Sequence, residues 1–213
     1  MYLLNEQVNT RVAGVFPGAF KPPHRGHYHT AHQAAQQCDT LFILMSDKPR
    51  ELSQSNSSST PDWERYKALL PGGRQAEQLQ HVNVELASCA RPDIGDKPAS
   101  ASRLRSQIAS YAFDHQDFDT FMNNINDFIP GSLTDKQRRE VAERMVSHAQ
   151  DNVVDAYESA GIWEIYIEQL KRETGTDIVF EILQGSPVAM TYSVVSTIDE
   201  NNTFDLVKLF VGC

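Results

Sequence analysis

The first clear pattern of apolar and polar positions along the chain is strand, helix, strand. Short apolar runs without alternation at 11–16 and 40–45 predict two strands covered on both faces. Between them, a Gly- and Pro-rich loop at 17–23 precedes a helix predicted from about 26 to 38. Because this order is that of a βαβ unit, a parallel sheet with a right-handed crossover is expected.

The middle of the chain is predominantly helical. A polar loop at 53–60, a short helix at 62–70 and a strand at 82–87 lead into a mainly helical region at about 103–172. Within it, Thr134 and Gln137 form a capping-box pattern that begins a helix. Apolar residues at helical spacing predict core packing along this region; they are Phe118, Phe121, Met122, Ile125, Phe128, Ile129, Ile162, Trp163, Ile165, Tyr166 and Leu170.

The α/β character returns at 177–213. A strand at 177–183, a helix beginning at Pro187 and a strand at 204–211 are predicted there. The whole pattern predicts an α/β fold, a Rossmann-like doubly wound parallel sheet with an added helical region. Residues 1–213 are long enough for one such domain.

Composition narrows the function classes. Of the residues, 40% are hydrophobic and 22% charged, which is ordinary for a soluble protein. Residues 1–10 lack the pattern of a secretory signal, and no apolar run is long enough for a membrane span. The three scattered cysteines, Cys38, Cys89 and Cys213, argue against a disulfide framework. A cytoplasmic protein is therefore expected.

The net charge of −9 argues against nucleic-acid binding through a broad basic face. It leaves room for a local basic pocket that binds a small phosphorylated ligand. The chain has neither a Gly-x-x-x-x-Gly-Lys-Ser/Thr loop nor a Gly-x-Gly-x-x-Gly loop. P-loop hydrolysis and dinucleotide oxidoreduction are therefore disfavoured.

The loop after the first predicted strand holds the strongest candidate chemistry. α/β folds bind ligands outside the carboxyl ends of their strands, and a helix N-terminus attracts anions. Gly18 allows the backbone to approach a ligand closely. His24 and His27 are spaced to project to one side of the helix start, where imidazole can donate to a phosphate oxygen. Lys21 and Arg25 add positive charge within the same few residues.

This loop resembles the signature of the cytidylyltransferase-like nucleotidyltransferase superfamily, Gly-x-Phe-x-Pro-x-His-x-Gly-His. The signature is complete as Gly18, Phe20, Pro22, His24, Gly26 and His27. A second family signature, roughly Ser-Ser-Thr-x-x-Arg, is similar to Ser100-Ala101-Ser102-Arg103-Leu104-Arg105. The residue sequence of 16–24, together with a Phe-rich segment and a Pro break at 118–130, resembles a phage-encoded branch of the superfamily. A phage origin would place the protein in the host cytoplasm.

The resemblance implies transfer of AMP or CMP from ATP or CTP to a small phosphorylated acceptor, with release of pyrophosphate. The backbone of Gly18, Ala19 and Phe20 would face the phosphates. His24, His27 and Lys21 would act on the reacting phosphates, and Ser100, Ser102 and Arg105 would hold the β- and γ-phosphates. Mg²⁺ bridging the phosphates is expected as cofactor. Homo-oligomers are common in the family.

One departure from the family pattern concerns segment order. The family normally places a Trp-containing helix, a strand, a Ser-Pro turn, a helix and a strand before its second signature. Here similar elements follow it, at 162–166, 179–183, 185–188 and 204–211. Either the C-terminal strands join the same sheet, or the chain ends within a partial second unit. A catalytically inactive nucleotide-binding regulatory or structural protein is the alternative function.

The candidate residues also have alternative interpretations, most of which give them a structural role only. His24 and His27 could be loop and helix-cap residues without a catalytic role. Lys21 could be a solvated loop lysine, Ser102 only a helix cap, and Arg105 a partner of a surface carboxylate. A zinc site of His24, His27, His29 and His32 is disfavoured because these residues do not share one helical face. Asp47, Arg50 and Arg65 could face the nucleotide or the acceptor, but surface positions are favoured for them. Trp163 and Tyr166 could stack on the base, but core positions are favoured.

Overall fold

The fold is known from a computed structural model that describes residues 10–53, 62–90, 92–94 and 97–211. Most of the polar loop predicted at 53–60, and the N-terminal residues 1–9, lie outside the described residues. The strands are β1 (Val12–Gly18), β2 (Thr40–Ser46), β3 (Arg50–Glu51), β4 (Asn83–Leu86), β5 (Asp93–Ile94), β6 (Lys97–Pro98), β7 (Val153–Val154), β8 (Asp177–Leu183) and β9 (Leu206–Leu209). The α-helices are α1 (Arg25–Ala35), α2 (Ala101–Phe113), α3 (Phe118–Ile125), α4 (Asp135–Asp151), α5 (Ala156–Thr174) and α6 (Pro187–Asn201).

Five strands form one parallel sheet in the order β4-β9-β1-β2-β8. The central strand β1 pairs with β2 from Ala13↔Thr40 onward and with β9 from Val12↔Leu206 onward. Two clusters of buried residues lie on the two faces of this sheet, one including α1 and α5 and the other including α6. The Rossmann-like α/β fold with added helices is thus confirmed.

The apolar run of β1 divides its side chains between these two faces. Ala13 and Val15 belong to the cluster with α6, whereas Phe16 belongs to the cluster with α1 and α5. Gly14 faces Cys38, whose Sγ would lie 2.7 Å from a Cβ added at this glycine. A strand buried on both faces needs apolar or small residues at every position, which explains why the run does not alternate.

The C-terminal strands complete this sheet. β8 pairs with β2 along its whole length, and β9 lies between β1 and β4. The interpretation in which these strands join the same sheet is therefore confirmed. A carboxylate anchors this arrangement at the amino edge of β4, because Asp199 of α6 accepts hydrogen bonds from the backbone N–H groups of Gln80, His81 and Val82 at 2.7–3.0 Å.

The helical region differs from its prediction in one respect. The capping box of Thr134 and Gln137 begins α4 as predicted. However, the predicted helical stretch is interrupted between α4 and α5, where Asn152 adopts a left-handed conformation (φ 55) and the short strand β7 follows. The predicted helix at 62–70 is a 3₁₀ turn at Asp62–Tyr66. Neither short element has the periodicity that a sequence pattern can detect.

Two further observations concern cysteines and membranes. Cys38 is a free thiol, whereas Cys89 is disulfide-bonded. The three scattered cysteines argue against a disulfide framework, and the bond at Cys89 departs from that expectation. Within the described parts of the chain, none of the helices has the length and apolar character needed to cross a bilayer.

Candidate phosphate-binding site

The Gly- and Pro-rich loop predicted at 17–23 is the candidate phosphate-binding loop, and it connects the carboxyl end of β1 to the N-terminus of α1. Phe20 adopts a positive φ of 49° in this loop, and its ring is 4% exposed. The ring lies 4.8 Å from that of Phe16 and 5.2 Å from that of Trp163, measured between centroids. A Cβ added at Gly18 would meet the Phe20 ring at 2.4 Å, so the glycine makes room for the folded-back ring.

The two histidines of the first signature, His24 and His27, cap the N-terminus of α1. Nδ1 of His24 accepts a hydrogen bond from the backbone N–H of Gly26 at 3.0 Å. Nδ1 of His27 accepts one from the backbone N–H of His24 at 3.2 Å. The two rings stack with centroids 3.8 Å apart. The prediction that both side chains project to one side of the helix start is confirmed.

This capping arrangement determines which ring nitrogen carries the proton. A neutral imidazole has one donor and one acceptor nitrogen. Because Nδ1 accepts in His24 and in His27, the neutral rings carry their protons on Nε2. The helix begins one residue earlier than predicted, at Arg25, with His24 as its N-cap. An imidazole therefore takes the place of the usual short polar cap.

Gly26 lies where the start of α1 packs against the segment that precedes α2. It is buried, and a Cβ added there would lie 2.7 Å from Cβ of Ala99 and 2.8 Å from Cε1 of His24. Ala99 itself is fully buried. The glycine therefore allows the two helix N-termini, and with them the two sequence signatures, to lie side by side.

Lys21 is buried, with 1% of its surface exposed. Its ammonium donates to the backbone carbonyl of Ser46 at the end of β2 and to that of Ala19 at 3.4 Å. Burial first, and then the charge of Arg50, lowers the pKa of Lys21 from 10.5 to about 8, while Asp47 and Asp155 act in the opposite direction. The alternative of a solvated loop lysine is therefore wrong.

Arg105 connects the second signature to the first. Its Nη1 donates to the backbone carbonyl of Lys21 at 2.9 Å, and its Nη2 donates to the hydroxyl of Ser102 at 3.1 Å. The residue is 1% exposed, and burial followed by the charge of Arg50 lowers the pKa of its guanidinium. The structure thus brings Arg105, Ser102 and Lys21 together.

The serines at the start of α2 have different positions. Ser100 is the N-cap residue by its extended backbone (φ −144°), although its side chain makes no capping hydrogen bond within the described residues. Ser102 lies inside the first turn and accepts from Arg105. The alternative that Ser102 is only the N-cap is therefore wrong.

Other candidates lie away from the loop. His29 pairs with the Gln33 side chain, and His32 lies 3.5 Å from the Glu173 carboxylate. Among the residues that the structure describes, no three or more His, Cys, Asp or Glu side chains converge to hold a metal, and this includes the four histidines of the zinc alternative. Trp163 is fully buried beside Phe20, as the core interpretation predicted.

Three residues near Lys21 were not assigned to the site from the sequence. Ser46 accepts from Lys21 through its carbonyl and donates its hydroxyl to the carbonyl of Gly185 at 2.7 Å. Arg50 and Asp155 both act electrostatically on Lys21. The position of Ser46 at the carboxyl end of a predicted strand could have indicated its location. The positions of Arg50 and Asp155 depend on the pairing of β3 with β7, which no sequence pattern indicates.

Comparison with known proteins agrees with the first signature. Residues 15–72 match the family model described as cytidylyltransferase-like. The matched segment includes most of β1, the candidate phosphate-binding loop, α1 and β2, and the similarity to this family extends over these residues. Searches of curated proteins and of solved structures give no match.

Proposed function

We propose that this cytidylyltransferase-like chain is a nucleotidyltransferase that transfers AMP or CMP from ATP or CTP to a small phosphorylated acceptor. An oxygen of the acceptor forms a bond to the α-phosphorus. The bond from the α-phosphorus to the oxygen bridging the α- and β-phosphates breaks, and pyrophosphate leaves with that oxygen. No covalent intermediate with the protein is needed, so catalysis consists of positioning and charge stabilisation.

The observation that carries this proposal is the pair of stacked imidazoles at the N-terminus of α1. Both rings are held through Nδ1 by backbone N–H groups, so each neutral ring carries its donor N–H on Nε2. The helix N-terminus adds a positive potential at the same place. Fixed donors at the point where negative charge develops are what phosphoryl-group chemistry requires.

The remaining site residues have roles that match their positions. His24 would donate to an oxygen of the triphosphate and His27 to the α-phosphate as its charge develops. Lys21 would neutralise the α-phosphate or the acceptor. Backbone N–H groups of Gly18, Ala19 and Phe20 would face the phosphates.

The start of α2 would hold the β- and γ-phosphates through Ser100, Ser102 and Arg105. Since Arg105 already bonds to both Ser102 and the Lys21 carbonyl, it also holds the two signatures in fixed relation. A phosphate bound by α2 would thereby be positioned relative to the loop that carries Lys21.

Mg²⁺ is the proposed cofactor. The loop offers imidazole, ammonium and backbone donors rather than a set of carboxylates, and this fits an ion held by the nucleotide phosphates and water. When bound, the ion would neutralise phosphate charge.

The test is pyrophosphate release with each of ATP, CTP, GTP and UTP plus Mg²⁺, against a panel of phosphorylated acceptors. The panel includes nicotinamide mononucleotide, phosphopantetheine and polyol phosphates. Release with ATP or CTP and one acceptor, lost in His27→Ala, supports the proposal. Release with no pair, while calorimetry shows nucleotide binding, favours the inactive regulatory or structural alternative. The departure in segment order motivates that alternative, and in the structure β8 and β9 belong to the same sheet as β1 and β2.

A further inference from the structure

A cavity of about 450 Å³ lies between α6 and the segment that leads into β4. Its wall includes the apolar side chains of Leu69 and Leu79 and the carboxylates of Asp199 and Glu200, near the end of α6. Residues 80–81, which directly precede β4, also line it, so the cavity lies at the amino edge of the parallel sheet. The candidate phosphate-binding loop lies at the carboxyl edge. The cavity is therefore a separate place in the fold, and it has the volume of a small-molecule pocket.

Asp199 contributes a buried carboxylate to this wall, with 7% of its surface exposed. Its Oδ1 accepts the backbone N–H groups of Gln80, His81 and Val82 at 2.7–3.0 Å, whereas its Oδ2 shares only that of Gln80, at 3.0 Å. Since a carboxylate oxygen has about two acceptor positions, Oδ2 can accept a further donor. In the described parts of the chain, no lysine or arginine forms an ion pair with Asp199, although buried charges are usually paired.

Other groups of the wall add acceptors and a second negative charge. The side-chain oxygen of Gln75 is buried and has no hydrogen-bond partner within the described ranges. The hydroxyl of Tyr192 donates its hydrogen to the carbonyl of Arg65 at 3.1 Å, which leaves the phenolic oxygen as an acceptor. Glu200 is exposed and adds its carboxylate. Apart from His81, none of the described residues of the wall can carry a positive charge, so the charge of the wall is predominantly negative.

We propose that this cavity binds a small aliphatic ammonium ion. An ammonium group has three donors and no acceptor, so it complements the carboxylates of Asp199 and Glu200. A buried acceptor without a partner is costly, and an N–H donor of the ligand would remove this cost at Gln75. The hydrocarbon part of the ligand would lie against Leu69 and Leu79. The net charge of −9 adds a long-range attraction for a cation.

The length of α6 separates the cavity from the candidate site. The helix spans Pro187–Asn201, which is about 22 Å. It begins shortly after Gly185, whose carbonyl accepts the hydroxyl of Ser46 at 2.7 Å at the carboxyl edge of the sheet. Its last turn carries Asp199 and Glu200 at the amino edge. A ligand in the cavity therefore meets none of the proposed reacting groups, and we expect it to stabilise the fold rather than to be a substrate.

The experiment measures the binding of 1,4-diaminobutane to the full chain by calorimetry. This probe carries an ammonium group at each end of a short hydrocarbon chain at neutral pH. An ionic strength of about 0.15 M screens attraction to distant charges. The uncharged counterpart, 1,4-butanediol, is the ligand control. We expect saturable binding of the diamine, a Tm that rises with its concentration, and no binding of the diol.

Three substitutions in the wall test where the diamine binds. Asp199→Asn removes the buried charge and should weaken binding about tenfold or more. Glu200→Gln removes the exposed charge and should weaken it about two- to fivefold. Ser196→Phe, at an exposed position that lines the cavity, fills the space with a ring and keeps both carboxylates, so it should abolish binding. It is the decisive variant if circular dichroism shows that Asp199→Asn does not fold.

Glu181→Gln is the matched control. It removes one negative charge from an exposed position on β8, which is the edge strand on the far side of the sheet from β4. The net charge of the chain changes as much as in Glu200→Gln, but the wall of the cavity stays intact. We expect the Kd of the diamine to be unchanged.

Four results would each overturn the inference. They are an absence of saturable diamine binding to the unsubstituted chain, equal binding of the diol, an equal weakening in Glu181→Gln, and an unchanged Kd in both Asp199→Asn and Ser196→Phe. The third result would show that the diamine responds to the overall charge of the chain and not to the cavity. Because the pyrophosphate assay reports on the other edge of the sheet, failure of the proposed transfer reaction leaves this test intact.

Discussion

Nδ1 of His27 accepts the backbone N–H of His24 at 3.2 Å, and this single contact links helix capping to the proposed chemistry. It uses the nitrogen of His27 that faces the protein and leaves the N–H on Nε2 in the neutral ring. The same ring stacks on that of His24, with the centroids 3.8 Å apart. The geometry of the proposed donors is thus maintained by the helix terminus itself, before any ligand binds.

The first prediction concerns His27→Ala. Loss of a preorganised donor to the reacting phosphate should lower kcat about 10²–10³-fold. The lost cap contact should lower the free energy of unfolding by about 1 kcal/mol, which leaves the protein folded. Steady-state pyrophosphate release and urea denaturation measure the two effects. His29→Ala is the control, since His29 pairs with Gln33 on the same helix, and it should keep normal turnover. Near-normal turnover in His27→Ala would contradict the mechanism.

The sequence predicted the part of the site that lies within one continuous segment. Gly18, His24 and His27 follow a strand that is recognisable from its apolar run, and helix-start geometry then directs both imidazoles to one side. The sequence leaves the arrangement of the C-terminal strands open, either in the same sheet or in a partial second unit. A sequence pattern shows that a strand exists, but it does not show where in a parallel sheet the strand pairs.

The contributions of Arg50 and Asp155 were not predictable in this way. They depend on the pairing of β3 with β7, two strands of two residues each, and so short an element has no hydrophobic period. The contact between Arg105 and the Lys21 carbonyl was also missed. Sequence resemblance assigned Arg105 to phosphates, and its backbone partner is determined by the approach of α2 to the loop.

The second prediction concerns pH. Because the pKa of Lys21 lies at about 8, the free enzyme loses this positive charge as the pH rises through that value. We expect kcat/KM to fall on the alkaline side with an apparent pKa near 8. Lys21→Met should have a lower kcat/KM that lacks this alkaline limb. Persistence of the limb in Lys21→Met would assign it to another group.

The same shift predicts a change in stability. Between about pH 8 and 10.5 the unfolded chain retains a proton on Lys21 that the folded chain has lost. The contribution of Lys21 to the free energy of unfolding therefore rises with pH across this window. Below the window Lys21 is charged in both states, and the full cost of burying its ammonium is present. Urea denaturation at pH 7.5 and 9.5 measures the free energy of unfolding of both proteins. The value for Lys21→Met minus that for the unsubstituted chain should be lower at pH 9.5 than at pH 7.5. An equal difference at both values would show that the ammonium is not destabilised by burial.

The fourth prediction concerns Gly26→Ala. The new methyl group would lie 2.7 Å from Cβ of Ala99 and 2.8 Å from Cε1 of His24, so the two helix starts must separate or the imidazole must move. Overpacking of this kind costs about 1–3 kcal/mol of stability. Displacement of His24 by about 1 Å should lower kcat/KM on the order of 10²-fold. Gly131→Ala, where an added Cβ meets no atom within 4 Å, is the control and should change neither quantity measurably.

The last prediction separates stability from activity at Asp199. Its carboxylate accepts from three consecutive backbone N–H groups that lead into β4, and β4 lies next to the C-terminal strand β9. Burial raises the pKa of Asp199, but these donors outweigh it and lower the pKa, so the contribution is lost as the pH falls through the folded-state pKa. Asp199→Ala should cost about 1–2 kcal/mol, because the backbone N–H of the buried Val82 and two part-buried N–H groups lose their acceptor. Glu200→Ala, at the exposed neighbouring carboxylate, should cost little stability.

Asp199 lies at the amino edge of the sheet, so we expect the folded fraction of Asp199→Ala to keep its kcat. A specific loss of kcat would show that this edge is coupled to the site.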